Sequence, residues 1–200
     1  MLIDKIKNKK IILGSNSPRR KELLSGLGFD FTIDAKTDFI ENQECGLNIL
    51  DIAEFMAKGK SHGYHRQLSN NEILITADTV VIINNNSSNL KILGKPKDKN
   101  DAINMLQRLS GKSHIVITGV CIRDLNKEIC FSVKSQVWFK ELLEEEILYY
   151  IDNFKPYDKA GAYGIQEWIG YIGISKIEGS FYNIMGLPIQ KIYQELHNFV

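Results

Sequence analysis

Residues 11–24 constrain this chain more than any other stretch. Ile11-Ile12-Leu13 is an apolar run that reads as the end of a buried strand. Gly14-Ser15-Asn16-Ser17 turns at once into Pro18-Arg19-Arg20-Lys21-Glu22-Leu23-Leu24, the start of an amphipathic helix. Ser17 suits the N-cap and Pro18 the first helical position. A strand, a polar turn and a helix N-terminus together present backbone N–H groups to an anion. Arg19 and Arg20 would occupy the first helical turn, where positive charge opposes the helix dipole and Asp or Glu is expected. Two readings stay open: an ordinary capped helix whose arginines reach into solvent, or a polyanion site that the arginines help to hold. The turn has one glycine and no G-x-x-x-x-G-K-[ST], so it is not a P-loop.

Composition narrows the partners. Two hundred residues suffice for one large domain or two small lobes sharing a core. With 44% hydrophobic and 24% charged residues the chain is expected to be a soluble globular protein, not a disordered one. Its 25 basic and 24 acidic residues give a net charge of +1, which argues against broad attraction to nucleic acid or an anionic membrane. Any polyanion must be held by a local cluster. Cys45, Cys121 and Cys130 show no C-x-x-C spacing, which suggests neither a zinc site nor a disulfide framework and fits a reducing, cytoplasmic compartment. No apolar run approaches the roughly 20 residues a membrane helix needs. Residues 1–10 carry five Lys or Asp charges and read as a solvated lead-in, not a secretory signal.

Strands and helices alternate along the rest of the chain, with hairpins mixed in. Residues 29–33 alternate as a strand, 34–46 form a polar loop, and 47 to about 66 follow a helical period. Residues 72–83 are an apolar strand interrupted by one carboxylate, Asp78. Asn84 to Leu90 is a low-complexity hairpin tip, and residues 91–96 return as a short strand that ends at Pro96. Asp98 caps a helix running to about Leu109, which Ser110-Gly111 stops. Two longer strands, 114–123 and 128–140, are joined by a polar turn. Glu141 to Ile151 is a helix whose run Glu144, Glu145 and Glu146 reads as a solvated face. Pro156 to Gln166 is a loop, 171–177 a final strand, and Gly186-Leu187-Pro188 opens a C-terminal helix. With no repeat, linker or tail, residues 1–200 are expected to be a single domain of α/β (α+β mixed) class with a mixed sheet.

Asp78 is the most pointed candidate. A carboxylate within an apolar strand costs several kcal/mol unless it is paired, hydrated or metal-bound. It is either a strand-end cap or a metal ligand or general base. Lys60, Lys95 and Lys159 taken singly are ordinary solvated lysines. Taken with Arg19 and Arg20 they could line a cationic cleft for a triphosphate. Ser110-Gly111-Lys112-Ser113 only superficially resembles a phosphate turn. His62 and His65, three apart, lack a third metal ligand nearby in sequence and read as an exposed helix face. Trp138 and Trp168 read as packing residues.

Seven segments, in order and over nearly the full length, resemble the Maf family of nucleoside triphosphate pyrophosphatases. They are Ser15-Asn16-Ser17-Pro18-Arg19-Arg20-Lys21-Glu22-Leu23-Leu24, Met56-Ala57-Lys58-Gly59-Lys60, Ala77-Asp78-Thr79-Val80-Val81 and Leu93-Gly94-Lys95-Pro96. They continue with Leu109-Ser110-Gly111, His114 and Thr118-Gly119-Val120, then Asp158-Lys159-Ala160-Gly161-Ala162-Tyr163-Gly164-Ile165-Gln166, and last Gly179-Ser180, Asn183 and Gly186-Leu187-Pro188. The resemblance implies a Maf and ITPase-like fold: a curved mixed β-sheet with flanking helices and two lobes around a nucleotide cleft. It also implies a homodimer, a divalent cation (Mg²⁺ or Mn²⁺), and hydrolysis of a nucleoside triphosphate to the monophosphate and pyrophosphate, in the service of removing noncanonical nucleotides.

Position by position, Asp78 looks like the catalytic carboxylate and a metal ligand. Arg20, Thr79 and Gln166 match positions tied to base selection. Ser15, Ser17, Arg19, Lys60, Lys95 and Lys159 look like phosphate-site residues. Pro18-Arg19-Arg20, Ala77-Asp78-Thr79 and Gly164-Ile165-Gln166 resemble the dTTP/UTP branch. The 7-methyl-GTP branch tends to carry Trp, Gln and Glu at the corresponding variable positions. Where the family usually has an acidic metal-holding pair, this chain reads Thr37-Asp38-Phe39-Ile40-Glu41, so Asp38 or Glu41 is expected to take that role. The alternatives are a 7-methyl-GTP-type pyrophosphatase, a nucleotide-binding regulator of septum formation with little catalysis, and, against the balanced charge, a nucleic-acid binder.

Overall fold

A computed structural model describes residues 1–40, 46–84 and 90–200. Seven strands belong to one mixed sheet in the order β2-β1-β3-β5-β6-β7, with β4 paired to β3. Helices flank this sheet, so the α/β reading with a mixed sheet holds. The chain divides into two compact units: residues 1–78, 118–133 and 186–200 form the first, and 79–117 with 134–185 the second. The boundary falls within a strand, between Asp78 and Thr79.

In the first unit, β1 (Lys10–Leu13) pairs in parallel with β2 (Phe31–Ile33) on one side. On its other side β1 pairs in parallel with the start of β3 (Glu72–Asn84), setting Ile11 beside Ile73 and Leu13 beside Ile75. Ile11, Ile12, Leu13, Ile73, Leu74 and Ile75 are all buried, as expected of parallel strands covered on both faces. Helix α2 (Pro18–Ser25) begins where the sequence places it: Ser17 Oγ accepts from Arg20 N at 3.5 Å and Pro18 opens the helix. Helix α3 (Ile52–His62) buries Ile52, Ala53, Met56 and Ala57. It is shorter than the expected 47–66, because residues 47–51 are bend and turn and Gly63 ends the helix with its N–H on Gly59 O. At Gly119 a Cβ would sit 2.2 Å from Ala53 O, so only glycine lets the first turn of α3 approach the strand that carries it, Ser113–Arg123.

The first ten residues are not merely a solvated lead-in. Leu2–Ile6 form helix α1, whose Leu2 and Ile6 lie on one face and are buried, and which packs against the C-terminal helix α8 (Ile189–Phe199). Helix α8 opens after Pro188 and buries Ile192, Leu196 and Phe199.

In the second unit, the rest of β3 forms an antiparallel hairpin with β4 (Leu90–Leu93), Asn84 opposite Leu90 and Val81 opposite Leu93. The expected hairpin therefore forms, although residues 85–89 of its tip lie outside the described residues. Helix α4 (Lys99–Leu109) is capped by Asp98, whose Oδ1 accepts from Asp101 N at 2.8 Å. Gly111 follows it at φ +67°, a helix stop and not a phosphate turn. The long strands are β5 (Ser113–Arg123) and β6 (Glu128–Phe139). Helix α5 (Glu144–Phe154) starts with three acids, which suit the positive end of the helix dipole. Glu146 is more than a solvated face: it accepts from Leu143 N at 2.9 Å and from Lys140 Nζ at 2.6 Å. The expected strand 171–177 is corrected to a short helix α6 (Trp168–Gly173) followed by β7 (Ile174–Glu178), which pairs antiparallel with β6. A further short helix, α7 (Phe181–Met185), precedes Gly186.

Candidate active site

The opening turn of the first unit is built around one hydroxyl. Ser15 is buried, and its Oγ accepts from Ser17 N at 3.3 Å and from Arg20 Nη1 at 3.2 Å. Arg20 Nε donates to Gly186 O at 2.9 Å, so this guanidinium ties the turn to the segment that opens α8. Arg19, next to it, is half-buried. The first turn of α2 holds no acidic residue, so its dipole is left for an external anion.

Asp78 lies on β3 on the same face as Thr76, two residues before it. Thr76 Oγ1 donates to Ala57 O at 2.6 Å, anchoring the strand to α3. Two steps along a strand cover about the same length as one turn of a helix, so Asp78 meets the side chain three residues beyond Ala57. That side chain is Lys60, whose Nζ donates to Asp78 Oδ1 at 2.6 Å. The two side chains are 17% and 18% exposed, so the pair is largely removed from water yet still reachable by a ligand. The isolated carboxylate in the apolar strand is thus a paired one.

Asp38 is exposed, and its backbone N–H donates to Gly63 O at 2.7 Å. Glu41, its alternative, lies outside the described residues. Among the described residues, the one set of three or more His, Cys, Asp or Glu donors close enough to share an ion is Cys121, Glu128 and Cys130. It contains neither Asp78 nor Asp38.

In the second unit, Thr79 is half-buried and Lys95 is exposed just after β4. Lys159 is buried and already engaged: its Nζ lies 2.7 Å from Asp158 Oδ1 and 3.0 Å from Glu167 Oε1. The other oxygen of Glu167 accepts from the Tyr150 hydroxyl, which in turn accepts from Gly164 N at 3.0 Å. Burial and this carboxylate push the Tyr150 phenol well up. Between these fixed points stands Gln166. Its Oε1 is sealed from water and has no hydrogen-bond partner, an acceptor that costs free energy until something donates to it. Nearby in the same unit, His114 Nε2 shares a 2.7 Å hydrogen bond with the Tyr163 hydroxyl, and burial pushes the imidazole from 6.5 to about 3.

The Maf-like protein family profile matches residues 10–199. The chain belongs to the Maf family. Curated relatives cover 94–99% of it. A dTTP/UTP pyrophosphatase of Parabacteroides distasonis is 48% identical over 198 residues, covering 99% of this chain and 100% of the relative. The protein of the same name from Porphyromonas gingivalis is 49% identical over 200 residues, 99% and 98% of the two chains. That of Bacteroides thetaiotaomicron is 51% identical over 187 residues, 94% of each.

Within this Maf chain, the first unit holds Ser15, Ser17, Arg19, Arg20, Lys60 and Asp78, and the second holds Thr79, Lys95, Lys159 and Gln166. Sequence reasoning missed Glu167 and Tyr150, which fix the loop that carries Lys159 and Gln166. A signal existed for Glu167: it adjoins a buried lysine loop whose charge needs a counter-ion. No sequence spacing points to Tyr150.

Proposed function

We propose that this chain is a nucleoside triphosphate pyrophosphatase, a hydrolase that converts dTTP and UTP to the monophosphate and pyrophosphate. The observation that carries this reading is the Lys60–Asp78 pair, a cation and a carboxylate side by side on a Maf motif. The relatives named dTTP/UTP pyrophosphatase, at 48–51% identity, support the choice of substrate.

Breaking the bond between the α- and β-phosphates needs charge neutralisation and in-line positioning more than covalent chemistry. Asp78 orients the attacking water and takes up its proton as the new P–O bond forms. Lys60 donates to the phosphate oxygens, and Ser15, Ser17, Arg19, Lys95 and Lys159 are its partners in that role. Asp78 offers one carboxylate, with its Oδ1 toward Lys60. That donor chemistry fits a hard cation such as Mg²⁺ or Mn²⁺, which takes one or two carboxylates and completes its shell with water and substrate phosphates. Asp38 or Glu41 is the second acid proposed for it. When bound, such a cation supplies Lewis-acid neutralisation of the phosphate charge.

Gln166 reads the base. Its unpartnered Oε1 accepts from the imide N–H of uracil or thymine, while its amide donates to a ring carbonyl. Arg20 and Thr79 are the other residues proposed to bear on that choice. Guanine and adenine also present adjacent donor and acceptor atoms, so rejection of a purine rests on the size of its two-ring base. We further propose that residues 1–200 act as one domain in a cytoplasmic homodimer that clears noncanonical pyrimidine nucleotides.

The test is a panel of nucleoside triphosphates with Mg²⁺ or Mn²⁺, scored by pyrophosphate and monophosphate release. Faster turnover of dTTP and UTP than of dATP and GTP is expected. Equal rates, or preference for 7-methyl-GTP, would overturn the base assignment. Tight nucleotide binding with no pyrophosphate release would instead favour a regulator.

A further inference from the structure

The two cysteines of the β5–β6 hairpin meet in space although their sequence spacing shows no metal motif. Asp124 N donates to Lys127 O at 3.0 Å, which closes the hairpin with Asp124 opposite Lys127. Counting back along antiparallel strands sets Arg123 opposite Glu128 and Cys121 opposite Cys130. Positions two apart share a face, so all four side chains belong to one face of the hairpin. The donor atoms of Cys121, Glu128 and Cys130 all lie within 4.8 Å of one another, and Cys121 Sγ is 4.0 Å from Glu128 Oε2.

Helix α3 supplies the surroundings. His62 Nε2 lies 2.5 Å from Glu128 Oε2, and Lys58 Nζ lies 2.7 Å from Glu128 Oε1. Arg123 is held by α3: its Nε and Nη2 donate to Ser61 Oγ and Ser61 O at 3.0 and 2.6 Å. The two thiols lie close enough to perturb each other, which lowers the Cys121 pKa and raises that of Cys130.

We propose that Cys121, Cys130 and Glu128 form a binding site for one zinc-class cation, with His62 and Lys58 holding the carboxylate in place. Two thiolates and a carboxylate are the ligand chemistry of zinc and are poorly matched to Mg²⁺. Thiolates on one tetrahedral zinc, with bonds of about 2.3 Å, lie about 3.8 Å apart, so modest side-chain rotation closes the cluster. The charges balance: three anionic ligands face a divalent cation and the Lys58 ammonium. Binding releases the two thiol protons to buffer, and the fourth position is open to water. Cys121 is buried, whereas Cys130 is half-buried and Glu128 is 28% exposed, which gives the ion a path in. This site is separate in residues and in ligand chemistry from Asp78.

The test uses the full-length, reduced, metal-free protein titrated with Co²⁺ and then Zn²⁺. One equivalent of Co²⁺ should produce a thiolate-to-cobalt charge-transfer band, which zinc then abolishes. Cys130→Ser should lose the band, while Cys45→Ser and Asp78→Asn keep it. His62→Ala should weaken binding by about 10-fold or more. In the wild-type protein, zinc should slow alkylation of Cys130, a readout that requires no variant to fold. Absence of the band at one equivalent, its persistence in Cys130→Ser, or unchanged alkylation of Cys130 with zinc would overturn the proposal.

Discussion

Replacing Asp78 by Asn keeps the shape of the side chain and removes its charge. Lys60 Nζ, 2.6 Å from Oδ1 in a pair less than one-fifth exposed, then loses its counter-ion. Breaking a fully buried pair from one side costs about 3–5 kcal/mol. Lys60 retains some access to water, so the expected loss is about 1–3 kcal/mol, a fall in Tm of roughly 3–9 °C for a chain of this length. Lys60→Met strands Asp78 and should cost a similar amount. The double variant should lose less than the sum of the two, by about 1–2 kcal/mol, because neither charge is then left alone. Paired urea or thermal melts of the four proteins measure this. Pyrophosphate release at saturating dTTP measures chemistry separately, and there Asp78→Asn should lose about 100-fold or more. A protein of ordinary stability remains folded at 25 °C after such a loss, so unfolding does not account for the drop in rate. Additivity to within about 0.5 kcal/mol would refute the energetic coupling. Near-wild-type turnover of Asp78→Asn would refute the catalytic role.

Two further predictions concern the frame around the site. His114 is depressed from 6.5 to about 3 by burial, so the unfolded chain binds its proton first. Its contribution to stability is fully present above pH 6.5 and is lost as pH falls toward 3, at up to about 1.4 kcal/mol per pH unit. His114→Phe should flatten that part of the curve of unfolding free energy against pH, and an unchanged slope would refute it. Gly119→Ala places a methyl group 2.2 Å from Ala53 O, and relief requires moving backbone. A loss of about 2–4 kcal/mol is expected in urea melts; a loss below about 0.5 kcal/mol would show that α3 yields freely.

Long, strongly patterned elements were legible without coordinates. The apolar run ending in β3, the Asp98-capped helix and the β5 and β6 strands each carry a period and a boundary signal that agree. Short elements were not. Helix α1 spans five residues and offers only Leu2 and Ile6 as an apolar face, too little to stand out from its charged neighbours. Helix α6 reads Trp-Ile-Gly-Tyr-Ile-Gly, a composition that suits a strand. Its Gly170 is needed because a Cβ there would lie 1.8 Å from Ile165 O, a tertiary demand that overrides local propensity.

The sequence by itself determined the strand, turn and helix start at residues 11–24, since Ser17 and Pro18 act on their immediate neighbours and need nothing distant. It also determined that Asp78 had to be compensated, because burying a lone carboxylate is costly in any fold. Only the tertiary structure decided what compensates it. Lys60 is 18 residues away and meets Asp78 because the helix repeat and the strand repeat bring their polar positions into step. The same holds for Arg20 on Gly186 O and for the buried, unpartnered oxygen of Gln166. Spacing along a chain reports the residues a motif carries, whereas a hydrogen bond 166 residues apart exists only once the backbone has folded.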